Sequence, residues 1–156
     1  MIPEAIDRYL KQHHLDYAHS MHPRAVPAQR LAAAEHISGA RIAKPVVVSI
    51  DGRLALAVVP ASARVDLPAL AAAAGAEVAE LVPESMFVDR FQPCEPGAEP
   101  AIGLFGLPIF VDARLVGQPW IVMRGGTHED SIRLDTRAWL AEERARVVRG
   151  LGMATA

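Results

Sequence analysis

Apolar residues recur along this chain in two rhythms, one helical and one extended, and their order predicts the elements. Between Pro3 and His14, Ile6 and Leu10 fall on one side together with Ile2, while Arg8, Lys11 and Gln12 fall elsewhere. This is a short amphipathic helix, with Pro3 suited to its first turn. Tyr17 to Met21 reads as a short strand. Pro27 to Ile37 reads as a second helix, with Leu31, Ala34 and Ile37 in phase and Gly39 at its end. The clearest extended signal follows: Pro45 to Ile50 and Leu54 to Val59 are apolar runs joined through Asp51-Gly52, a pair that hairpin turns favour. Near-continuous apolarity places this hairpin in the interior. A helix from Asp66 to Ala74 is framed by an Asp cap, Pro68 and Gly75. A strand at Ala76–Leu81, a short helix at Pro83–Phe91 and a loop from Cys94 to Gly106 come next. Strands follow at Leu107–Asp112, Trp120–Arg124 and Ser131–Leu134. A last helix runs from Thr136 to Val148, capped by Asp135 or Thr136 and stopped near Gly150. Helices and strands without regular βαβ alternation predict an α+β domain on a mixed, mostly antiparallel central sheet flanked by helices.

The 156 residues, 51% of them hydrophobic, suit one compact domain spanning 1–156 that needs no staple. Cys94 stands alone, so no disulfide framework or cysteine-built zinc site is encoded. No apolar run is long enough to span a membrane, and the charged N-terminal stretch is unlike a signal peptide. A cytoplasmic protein is expected. A formal net charge of −2 excludes a broadly basic nucleic-acid coat, while leaving room for a local RNA contact.

Candidate chemistry is sparse. Of the sixteen basic residues only Lys11 and Lys44 are lysines. Lys11 belongs to the polar face of the first helix. Lys44 stands where a strand enters the core, with Pro45 holding its backbone extended. Its ammonium either snorkels to water or is fixed at the mouth of a pocket, ready for a phosphate or carbonyl oxygen. The stretch Glu95 to Gly106 lacks the Lys-Ser/Thr of a phosphate-binding loop. It is either a plain connection or a stiff ribbon whose amides serve a developing oxyanion. His19, His22 and His128 have no His-Glu-x-x-His context, so no metal is expected. His13, His14 and His36 read as solvated. No Gly-x-Ser-x-Gly elbow exists, and Cys94 has no nucleophile motif around it. Glu142 and Glu143, with Arg133, Arg137, Arg144, Arg146 and Arg149 nearby, read as a salt-bridged exposed helix; a contact of these arginines with RNA phosphates is the minority reading.

In order, the motifs resemble the YbaK/ProX family of aminoacyl-tRNA deacylases, also found as an editing domain in some prolyl-tRNA synthetases. Tyr17-x4-His22-Pro23 resembles the family's opening, and Ile42-Ala43-Lys44 its lysine-bearing strand. Pro96-Gly97-Ala98-x-Pro100-x-Ile102-Gly103 with Leu107 to Asp112 resembles its glycine–proline loop and following strand. Met123-Arg124-Gly125-Gly126-Thr127-His128 resembles a pattern of free-standing members. Two departures stand out. The family loop is commonly Gly-x-x-x-Pro, but Ala101 follows Gly97 by four and the proline is Pro100. Pro27 stands where many members have threonine.

The resemblance implies hydrolysis of the ester joining a mischarged, small amino acid to the tRNA 3′ end, with no cofactor or metal. Partners would be the aminoacylated acceptor end and an aminoacyl-tRNA synthetase. Lys44, Gly97 and Gly103 would be catalytic: Lys44 anchors the terminal nucleotide or ester oxygen, and loop amides steady the carbonyl oxygen. His22, Ala98, Pro100, Ala101, Ile102, Thr127 and His128 would line the substrate. A second sieve has physical use, because one methylene separates substrates by only ~1–3 kcal/mol. Two alternatives stay open: a non-catalytic module binding an aminoacyl ligand or a synthetase, and an esterase or amidase for a small metabolite.

Overall fold

The computed structural model describes residues 1–154. Its elements are α1 (Glu4–Gln12), β1 (Tyr17–Met21), α2 (Ala28–Ala34), β2 (Lys44–Ile50), β3 (Arg53–Val59), β4 (Ala63–Val65), α3 (Leu67–Ala74) and β5 (Ala79–Leu81). They continue with β6 (Ile109–Asp112), α4 (Ala113–Val116), β7 (Trp120–Arg124), β8 (Asp130–Asp135), α5 (Thr136–Glu143), β9 (Arg146–Val148) and β10 (Gly152–Ala154). A five-stranded mixed sheet runs β5-β2-β3-β6-β9, a three-stranded antiparallel sheet runs β1-β8-β7, and β10 pairs with β4. In the larger sheet β2 is antiparallel to β3 and β5, whereas β6 is parallel to β3 and β9. This is one compact α+β domain, with half the pairings of its main sheet parallel.

The hairpin explains the centre. Asp51 and Gly52 both take positive φ, +48° and +83°, the conformation of a type I′ turn. The Asp51 carboxylate also accepts from the amides of Glu77 and Val78, which brings β5 onto the edge of β2. Alternate β3 residues enter two different cores. Leu56 and Val58 join Ile6, Leu10, Ile121, Met123, Ile132 and Trp139 in the core shared by α1, α5 and the smaller sheet. Ala55, Ala57 and Val59 join Leu70, Phe110 and Val148 under α3. Burial on both faces is why β3 shows no polar alternation.

The C-terminal region departs from expectation. The helix begins as foreseen, with Asp135 accepting from the Ala138 amide, but it ends at Glu143, where Arg144 takes φ +50°. The chain then returns as β9 beside β6, because Val148 is buried under α3 instead of lying on a solvated helix. The expected arginine–glutamate ladder is absent among the described residues. Glu142 meets His13, Glu143 accepts from the Tyr9 hydroxyl and the Gly103 amide, Arg133 lies over Trp120, and Arg146 donates to the Ala73 carbonyl. Pro83–Phe91, expected as one short helix, holds two 3-10 turns, Glu84–Met86 and Val88–Phe91. No helix among the described residues is long and apolar enough to cross a membrane.

Candidate active site

A cavity of about 410 Å³ opens against the start of β2. Its walls are mostly apolar, including Leu31 of α2, Ile42, Val47, Leu81 and Phe87, and four other residues give it chemistry: Lys44, Gly97, Glu99 and Arg124.

Lys44 pairs with Val59 at the end of the hairpin away from the turn. Just beyond, Pro60 breaks β3 and the chain folds back into β4, setting two carbonyls beside the lysine. The ammonium donates to Ala61 O at 3.1 Å and Ala63 O at 2.6 Å. It is therefore held, not snorkelled, and one of its three donors remains beyond those bonds. Burial draws its pKa below the ordinary lysine value.

Gly97 has φ +79°, and a Cβ there would lie 3.6 Å from Cε1 of His128. The loop around it is pinned on several sides. The Gly126 amide donates to Ala98 O, the Glu95 amide donates to Gly126 O, and the Trp139 indole donates to Ala101 O at 2.6 Å. Ala98, Ala101 and Ile102 are fully buried, so they fix the loop from within and do not line the cavity. Their neighbour Pro100 is buried too. Gly103 lies elsewhere: its amide donates to the Glu143 carboxylate, and a Cβ there would lie 2.7 Å from the Tyr9 hydroxyl. The expectation of a continuous ribbon of available amides is corrected on this point. The amides of Ala98, Ile102 and Gly103 are spent on Glu95 O, Pro100 O and Glu143.

The remaining expected residues form a supporting layer. His128 is 3% exposed, its Nε2 lies 2.8 Å from Pro96 O, and its Nδ1 has no partner among the described residues. Its amide donates to Glu95. Thr127 donates to Asp130, and His22 is bound to Ser131 and to its own neighbour's carbonyl, Pro23 O. None of the three lines the cavity. Asp130, whose pKa is held down at about 2 despite its burial by bonds from the N-terminal ammonium, Thr127 and His19, ties this layer to β1. Among the described residues no cluster of three or more His, Cys, Asp or Glu is placed to hold a metal ion.

Two residues of the cavity escaped assignment from the sequence. On β7, Arg124 is in phase with Val122, which packs with Leu31 and Ile42, so the strand carries the guanidinium to the same side. It is 5% exposed, one terminal nitrogen donates to Val26 O at 2.6 Å, and the other has no partner among the described residues. Burial lowers its pKa to about 10, which leaves it charged at neutral pH. Glu99 is 6% exposed. Burial raises its pKa, while its own amide and that of Gly97 counter the rise. The signals were a charge ending an otherwise apolar strand and a charge amid Ala98, Pro100 and Ala101.

A sequence model described as the aminoacyl-tRNA editing domain matches residues 22–141. The chain belongs to that family. The match takes in Lys44, the Gly97 loop and the Gly-Gly-Thr-His turn, the motifs whose order resembles the YbaK/ProX proteins. Among solved structures this editing domain is similar to hypothetical protein APE2540, at TM-score 0.85 and 18% identity over 96% of this chain and 100% of that one. It is also similar to a protein proposed as a trans-editing enzyme for prolyl tRNA synthetase, at TM-score 0.77 and 22% identity over 94% and 96% of the two chains. A third likeness, to a computationally designed scaffold for epitope presentation, has TM-score 0.80 and 23% identity over 97% and 96%. No curated protein matches.

Proposed function

We propose that the chain is an aminoacyl-tRNA deacylase that hydrolyses the ester of a mischarged tRNA carrying a small amino acid, without a metal. The observation that carries this reading is the fixed Lys44 ammonium and the positive-φ Gly97 on one cavity. Family membership and the likeness to a proposed trans-editing protein support it. An aminoacyl ester is already activated, so a positioned water, oxyanion donors and a substrate hydroxyl or amine suffice. Lys44 supplies a held positive charge to the terminal nucleotide or ester oxygen, and Gly97, with no side chain, lets the acyl group approach the loop backbone closely. Ala101 does not size the pocket, being buried behind it. A cavity of about 410 Å³ that must also admit the terminal ribose is compatible with a small acyl group.

The self-satisfied amides of Ala98, Ile102 and Gly103 favour a second reading, a module that binds an aminoacyl ligand or a synthetase without turnover. A panel of mischarged tRNAs separates the two. Release of amino acid from at least one tRNA, lost in a folded Lys44→Ala variant, supports the deacylase; saturable binding without release supports the module. Free esters run beside the charged tRNAs test for a small-metabolite esterase.

A further inference from the structure

Glu99 and Arg124 are opposite charges, each more than nine-tenths buried, on the walls of one cavity, yet they form no ion pair with each other. Neither finds a counter-charge elsewhere among the described residues: Arg124 donates to a neutral carbonyl and keeps one nitrogen unpartnered. Buried charges left apart in this way are costly, and such arrangements concentrate at functional sites. A ligand carrying both signs would satisfy both walls at once.

We propose that the cavity is a receptor for a zwitterionic aminoacyl end: the Glu99 carboxylate takes the free α-ammonium, and the Arg124 guanidinium takes a phosphate oxygen of the terminal nucleotide. This deepens the proposed function and rests on it. Position supports the orientation. Glu99 sits in the loop with Gly97, where the acyl group is placed. Arg124 is tied to Val26, an exposed residue on another part of the cavity wall, and the nucleotide is assigned to that side. The outcome is selection for aminoacyl over N-blocked acyl esters.

The test is calorimetric binding of non-hydrolysable 3′-aminoacylamino-3′-deoxyadenosine, with the amine free or acetylated, and with or without a 5′-phosphate. A charge-assisted hydrogen bond corresponds to about 10–100-fold in affinity. Wild-type protein is expected to favour the free amine by at least about tenfold. Glu99→Gln is expected to erase that preference while leaving the acetylated compound's affinity unchanged. Arg124→Gln is expected to erase the gain from the 5′-phosphate, and Arg124→Lys to retain part of it, which guards against a folding defect in the first variant. Equal affinity for free and acetylated amines, or preference persisting in Glu99→Gln, overturns the proposal, as does failure of every analogue to bind. Deacylation of charged tRNA is measured separately: turnover without amine selectivity defeats this inference and spares the deacylase, while selectivity without turnover does the reverse.

Discussion

Gly126 is the joint between the candidate site and the N-terminal helix, and replacing it with alanine tests that role quantitatively. Its φ is +98°, and a Cβ would lie 2.7 Å from Cδ1 of Ile6 and 2.8 Å from Cγ and Cδ of Pro3. Ile6 is fully buried and the Pro3 ring cannot rotate away, so α1 itself must move. Backbone strain at such a φ costs ~1–3 kcal/mol, and overpacking adds ~1–3 kcal/mol. The expected loss is about 2–6 kcal/mol, or a fall in Tm of roughly 4–24 °C for a domain of this size. Gly106 provides the control: its φ is +75° and a Cβ there meets nothing within 4 Å, so Gly106→Ala carries the backbone strain alone, about 1–3 kcal/mol. Urea titration of both variants reads the difference, with an unchanged m-value as the sign that the unfolded reference is common. Gly126 also receives the Glu95 amide and donates to Ala98 O, so Gly126→Ala should loosen the Gly97 loop and slow deacylation, whereas Gly106→Ala should not. If Gly126→Ala is no less stable than Gly106→Ala, the packing of α1 on this turn is not as described.

Other outcomes are expected. Glu99 is uncharged in both states well below the unfolded glutamate value of about 4.3. Because burial raises its folded pKa, stability falls as pH climbs from the unfolded value to the raised one, by ~1.4 kcal/mol for each pH step of one across that interval. Glu99→Gln should therefore melt above wild type at pH 8, with the gap closing by about pH 4; a gap that widens in acid contradicts the sign. Lys44→Met should lower stability by ~1–3 kcal/mol, since Ala61 O and Ala63 O lose a charged donor, and deacylation by about 100-fold. Unchanged thermal denaturation would show that the ammonium does not hold those carbonyls. Trp139→Phe removes the donor to Ala101 O; a loss of about 1–3 kcal/mol is expected for an orphaned buried carbonyl, and none would mean that water replaces the indole.

Much of the architecture was legible because local chemistry and global packing agree there. The Asp51-Gly52 turn, the Asp66 and Asp135 caps and the two-faced burial of β3 each announce themselves in a few adjacent residues. The end of the chain was not legible, since Arg144 gives no sign in its identity of a left-handed stop. β9 and β10 are three-residue strands defined by distant partners, β6 and β4. At the site, Lys44 and Gly97 could be read from motif order. Gly103 fits the same motif, yet its amide is claimed by Glu143, forty positions away. That contact depends on α5 bringing its last turn against α1 and the loop, which no local pattern encodes. Arg124 and Glu99 were visible as letters, but their importance lies in being buried on one cavity without meeting.

The central claim is most directly tested by following amino acid release from a mischarged tRNA under single-turnover conditions, with wild type beside Lys44→Ala and Gly97→Ala, each first shown to be folded by circular dichroism and cooperative melting. The account predicts rapid release by wild type for at least one small amino acid and a loss of about 100-fold in each variant. Release at the uncatalysed rate by folded wild type across the whole panel, or full activity in Lys44→Ala, would contradict it.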